Sequence, residues 1–195
     1  MEEKGRLVRL WDLFSGEFSE KRSLRFIILS SAGIAAFSTL WVWTLIWIFS
    51  HFLPIGDRSI DVSSPDKIFS LACQVCIFAP IFEELAFRLL PFKILFLKIT
   101  LEKMNLEESH YDVDLDKKET MMRLLSLGFW FSCIFFGISH GSLWNIFLQG
   151  FIGFAFWLQF LYCSRIGKDP ARGICASILS HALYNLIQLI SIVFR

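Results

Sequence analysis

The sequence predicts an all-α polytopic membrane protein with about five transmembrane helices, in a range of four to six. Composition and charge placement carry this expectation. Hydrophobic residues make up 55% of the 195, with 22 Phe and seven Trp among them, and charged residues only 19%. No Asp, Glu, Lys or Arg occurs in residues 26–56, 124–164 or 173–194. Since roughly 20 apolar residues cross a hydrocarbon core of about 30 Å, such runs read as spans rather than as soluble core. A soluble enzyme and a disordered tail are excluded together. A net charge of +1 leaves no basic footprint, so no nucleic-acid partner is expected.

Taken in order, residues 1–25 mix Lys and Arg with Trp11, Phe14 and Phe18, which suits an amphipathic segment on the membrane surface or a solvated tail. No short apolar region opens the chain, so the first apolar run reads as a retained anchor and not as a cleaved signal. That run, 26–52, forms the first span and closes at Pro54 and Gly56, with His51 at its interfacial end. The second span, 68–99, contains Pro80 and Pro91, which predict local kinks. Residues 101–120 form the most polar stretch and read as an extramembrane loop or short surface helix. The uncharged run 124–164 is too long for one span, and Gly141-Ser142 divides it into spans 121–140 and 143–163. A fifth span follows at 174–194.

All five Cys (Cys73, Cys76, Cys133, Cys163, Cys175) lie in or beside apolar segments, which suits small buried hydrophobes better than disulfides or a metal site. Lys and Arg fall unevenly. With the N-terminus inside, Lys4, Arg6, Arg9, Lys21, Arg22, Arg25, Lys98, Lys103, Lys117, Lys118, Arg123, Arg165, Lys168 and Arg172 share one side, against Arg58, Lys67 and Arg195. This bias predicts a cytoplasmic N-terminus and a cytoplasmic 101–120 segment.

An ionisable residue at bilayer depth costs a few kcal/mol, so each one inside a span is a functional candidate. Here they are Glu83, Glu84, Arg88, His140 and His181. Glu84 and Arg88 are four apart and share a helix face, whereas Glu83 points about 100° away and has no partner on its own helix. The first two therefore suit a packing pair, and Glu83 a general acid or base. Phe136 and His140 lie one turn apart. His181 and Asn185 share a face that Gln188 extends, and such a polar stripe must look into protein or a wet cavity. Two chemistries fit a Glu, two His and an Asn on three spans. Glu83 and His140 could deprotonate a water while His181 and Asn185 donate to an oxyanion, or Glu83, His140 and His181 could bind zinc. No HExxH spacing and no Gly-x-Ser-x-Gly elbow is present.

Glu83-Glu84-Leu-Ala-Phe-Arg88 resembles an EExxxR motif, Phe136-Gly-Ile-Ser-His140 an FxxxH motif and His181-Ala-Leu-Tyr-Asn185 an HxxxN motif. In this order, on separate spans, they resemble the CAAX-processing and bacteriocin-processing (CPBP, or Abi) intramembrane endopeptidases over roughly residues 66–192. The resemblance implies a protease core over 66–195, behind an N-terminal segment (1–25) and a first helix with its outer loop (26–65). It implies a glutamic-type peptidase in which Glu83 and His140 activate water and His181 and Asn185 form the oxyanion hole. Glu84, Arg88 and Phe136 would support that site. No cofactor is expected, with zinc the alternative. The implied partners are the lipid bilayer and a membrane-associated protein or peptide substrate, and the implied setting is the bacterial inner membrane. Because the larger members have more spans, cleavage of prenylated CAAX tails does not follow. Two rival readings are a non-catalytic immunity or scaffold protein of the same fold and a small transporter.

Overall fold

The computed structural model describes residues 24–50, 64–104, 113–166 and 168–194. The predicted N-terminal surface segment, His51 and the loop after the first span lie outside them, except for the helix start at Leu24. Every regular element among the described residues is helical, and five helices are long and apolar enough to span a membrane. We number them α1 to α5.

Helix α1 runs Leu24–Ser50. Helix α2 starts at Pro65 and ends at Met104, passing through α-helical, π-helical, α-helical, π-helical and α-helical turns in succession. Ser64 caps its start by accepting from the Lys67 N–H at 3.4 Å, and Pro65 occupies the first turn, where a missing N–H is harmless. The apolar part of α2, Pro65–Leu101, is 37 residues long, about 55 Å at 1.5 Å per residue, so it extends past the hydrocarbon or tilts within it. Helix α3 comprises Val113–Leu127, the π-helical Gly128–Phe135 and Phe136–Ser139. Helix α4 comprises the π-helical Ile146–Gly150 and Phe151–Ser164, and helix α5 is Pro170–Val193.

Two departures from expectation have physical causes. Residues 113–120 are not a separate loop but the first turns of α3. No Gly or Pro interrupts them, and Glu119 pairs with Arg123 at 2.6 Å across one turn, which carries the helix into the apolar run. Pro80 and Pro91 act through π turns, each two residues beyond a π segment, Gln74–Phe78 and Leu85–Leu89. A proline removes one N–H and crowds the preceding turn, and widening the helix there relieves both. The division at Gly141 holds, because Gly141 takes φ 96°, which a β-carbon disfavours. The cysteines are all free, but only Cys163 is buried and Cys175 is exposed.

Helix α5 packs against α1 and α4. Phe156, Trp157, Phe160 and Leu161 of α4 are fully buried in the core, with Phe92 of α2 and Leu124 of α3 beside them. Polar contacts tie the helices together where no hydrophobic effect operates between them. Gln159 donates to the Ser31 hydroxyl at 2.9 Å, Ser180 donates to Gln159, and Trp41 donates to the Phe147 carbonyl at 3.0 Å. Leu29, Trp47, Phe69, Phe82 and Leu143 face outward, as a lipid-contacting surface requires.

Close approach of α4 to α3 depends on Gly153. A β-carbon at that position would collide with the Ser132 carbonyl and lie 2.9 Å from Nη2 of Arg88. Gly153→Ala is expected to lower stability by about 1–3 kcal/mol, the usual range for overpacking, read as a lower unfolding midpoint in detergent.

Candidate active site

The π turns of α2 bracket its charged centre, with Glu83 and Glu84 in the α-helical Ala79–Glu84 and Arg88 in the π segment that follows. Glu84 is completely buried, and its carboxylate accepts two hydrogen bonds and faces one cation. Nδ1–H of His181 donates to Oε1 at 2.9 Å, the Ser177 hydroxyl donates to Oε2, and Nε of Arg88 lies 3.3 Å from Oε2. Arg88, equally buried, donates from Nη2 to the Gly153 carbonyl at 3.2 Å and lies 4.4 Å from the centre of the Phe136 ring. Attraction within the pair, the Gly153 carbonyl and the Phe136 ring offset part of the cost of burying the two charges, while Nε and Nη1 of Arg88 make no hydrogen bond.

Glu83 is placed differently. Its side chain is 28% exposed, and Oε2 is a buried atom without a hydrogen-bond partner, 3.6 Å from Nε2 of His181. His181 therefore stands between two carboxylates, with Nδ1 held by Glu84 and Nε2 turned to Glu83. Its ring is sandwiched by aromatic side chains, 5.9 Å from Phe136 and 5.1 Å from Phe156.

His140 ends α3. Its Nδ1 lies 2.8 Å from the Phe136 carbonyl, and because a carbonyl can only accept, the proton sits on Nδ1 and leaves Nε2 with the lone pair. Phe136 is fully buried and meets His140 edge-on at 4.6 Å, so one ring touches His140, His181 and Arg88. Ser139 donates to the same Phe136 carbonyl at 2.7 Å, which turns its hydroxyl away from any role as a nucleophile.

Asn185 reaches across to α2 and donates from Nδ2 to the Val75 carbonyl at 2.6 Å. The cause lies in the π turn. The Ala79 N–H goes to the Gln74 carbonyl and Pro80 has no N–H, so neither residue serves Val75. One N–H of the Asn185 amide supplies the missing donor, and the other remains.

Glu83, His140, His181 and Asn185 line one cavity of about 260 Å³, together with Gln149, Tyr184, Gln188 and apolar residues that include Leu71, Val75 and Ile192. Glu84, Arg88 and Phe136 stand behind its wall. A larger groove of about 600 Å³, between Lys98 and Phe135, holds none of these groups. No group of three or more His, Cys, Asp or Glu among the described residues is placed to hold a metal ion.

The sequence reading missed Ser177, Gly153 and Phe156. Ser177 was within reach, since it lies four residues before His181 on the stripe that Asn185 continues. Gly153 acts through its carbonyl and Phe156 through ring contact, and neither stands out in an apolar run.

The family model Rce1-like, type II CAAX prenyl endopeptidase Rce1-like, matches residues 65–187, well over half of the chain. The chain belongs to this family. No curated protein and no solved structure matches it. As an Rce1-like protein it is an integral membrane protein of the CAAX protease family, which implies intramembrane endopeptidase activity on a membrane-associated protein. The matched segment runs from the start of α2 to Ile187 of α5, contains Glu83, Glu84, Arg88, Phe136, His140, His181 and Asn185, and leaves out α1.

Removing one partner of the buried pair strands the other. Glu84→Ala is expected to lower stability by about 3–5 kcal/mol, and combining Glu84→Leu with Arg88→Met to restore part of it. Unfolding midpoints of the two variants and the unaltered protein in detergent check this.

Proposed function

We propose that this Rce1-like protein hydrolyses a peptide bond with a water held and deprotonated by Glu83 and His140. The observation that carries the reading is the gathering of Glu83, His140, His181 and Asn185, from α2, α3 and α5, on one cavity wall. Glu83 offers a carboxylate oxygen with no other partner, and His140 offers the lone pair of Nε2. Water loses a proton to this pair as its oxygen bonds to the scissile carbonyl carbon, and the pair returns the proton to the departing nitrogen as the C–N bond breaks.

The carbonyl oxygen becomes an oxyanion that needs donors aimed at it. The remaining N–H of Asn185 supplies one. Nε2 of His181 supplies the other when it carries a proton, and the cation so formed faces Glu83 and Glu84. Glu84, Arg88, Ser177 and Phe136 hold the donors in place and do not touch substrate. In this reading the peptidase is of the glutamic type and takes no cofactor.

The distribution of Lys and Arg orients the chain with its N-terminus in the cytoplasm. On that orientation α2 begins and α5 ends on the opposite side, and the cavity end lined by Leu71 and Ile192 faces that way. A prenylated tail in the cytosol would not meet it, which favours a bacteriocin-like peptide or a sorting-signal protein as substrate and the bacterial inner membrane as the setting.

Glu83→Ala and His140→Ala are each expected to lower kcat/KM by at least about 100-fold while leaving the unfolding midpoint unchanged. Full activity in either purified variant contradicts the assignment. In the unaltered protein, activity is expected to survive chelation. Stoichiometric zinc lost together with activity would replace the glutamic mechanism by a metal-dependent one.

A further inference from the structure

The stripe on α5 does not end at Asn185. Ser177, His181, Asn185 and Gln188 follow one another at helical spacing, and the first three are occupied by Glu84, by both glutamates and by the Val75 carbonyl. Gln188 is not. Its Nε2 is buried without a hydrogen-bond partner, and its side chain lines the catalytic cavity. Among the buried side-chain atoms lining that cavity, two lack a partner, the acceptor Oε2 of Glu83 and the donor Nε2 of Gln188. Of the other two primary amides on the cavity, Gln149 is turned to the Tyr184 hydroxyl and Asn185 to the Val75 carbonyl. A buried donor without an acceptor is unfavourable unless something that enters the cavity supplies one.

We propose that Gln188 is a substrate-positioning residue whose side-chain amide donates to a main-chain carbonyl of the peptide, about three residues from the bond that is cut. The spacing follows from helix and strand geometry. His181 and Gln188 are seven residues apart, about 10.5 Å along a helix, and an extended peptide advances about 3.4 Å per residue. Beyond Gln188 on α5 the cavity wall is apolar, formed by Leu189 and Ile192. A contact to main chain would hold the peptide in register whatever its side chains. Gln188 lies one residue beyond the segment matched by the family model. The inference rests on the protease reading of the same cavity.

The test uses the full chain in detergent with a pool of internally quenched decapeptides, from which the best-cleaved sequence is taken for kinetics. Gln188→Leu and Gln188→Glu both remove the donor at similar size, so failure of one to fold leaves the other. Each is expected to raise KM roughly three- to tenfold with kcat within about twofold, the loss of one hydrogen bond made equally in ground and transition states. The same peptide trimmed to two residues on one side of the cut is expected to show no difference between variant and unaltered protein, and the side that abolishes the difference identifies the carbonyl. An equal change for long and trimmed peptides, an unchanged KM for both, or a fall in kcat alone overturns the role of Gln188 and leaves the protease reading standing. Failure of the unaltered protein to cut any member of the pool overturns both.

Discussion

The arrangement of the site depends on one buried carboxylate. Glu84 accepts from His181 and Ser177 of α5 and pairs with Arg88 one turn along α2, while Arg88 reaches the Gly153 carbonyl of α4 and lies over Phe136 of α3. Four helices therefore meet on a single pair of charges. In hydrocarbon an unpaired charge has no water to fall back on, so each of the two charges depends on the other. The Glu84 contact fixes the ring of His181, and the neighbouring Glu83 is the carboxylate that faces a cavity.

The same constraint acts on the backbone. Irregular main chain inside a membrane must find its hydrogen bonds within the protein. The π turn before Pro80 leaves the Val75 carbonyl without its usual donors, and Asn185 fills the gap. One amide group thus joins α5 to α2 and keeps a second N–H beside His181. In the proposed mechanism structural and chemical duties fall on the same side chain, so removing Asn185 would loosen the contact between helices as well as take a donor from the site.

Much of the fold was legible because the bilayer imposes a simple code. Uncharged runs marked the spans, and Gly141 marked the turn between α3 and α4. Boundaries in polar segments were less legible. Residues 101–120 read as a separate loop or short surface helix by polarity, yet a Glu119–Arg123 pair and the lack of any helix breaker make 113–120 continuous with α3. At the site, ionisable residues in apolar helices singled out Glu83, Glu84, Arg88, His140 and His181, and helix spacing separated the surroundings of the two glutamates. What could not be read was contact across helices. That His181 stands between both carboxylates depends on how α2 and α5 pack. The carbonyls of Gly153 and Val75 carry no side-chain signal at all. The prolines were visible, but whether they kink a helix or widen it into a π turn is decided by neighbouring helices.

The central claim is direct attack by water at a site organised by Glu84, with no acyl group passed to the protein. The most direct measurement is intact-protein mass spectrometry during a single turnover in water enriched in oxygen-18. The account predicts one heavy oxygen in the newly formed carboxyl group of the product and an unchanged protein mass at every time point. Protein carrying the acyl half of the substrate, on Ser139, Ser177 or any other side chain, would contradict it.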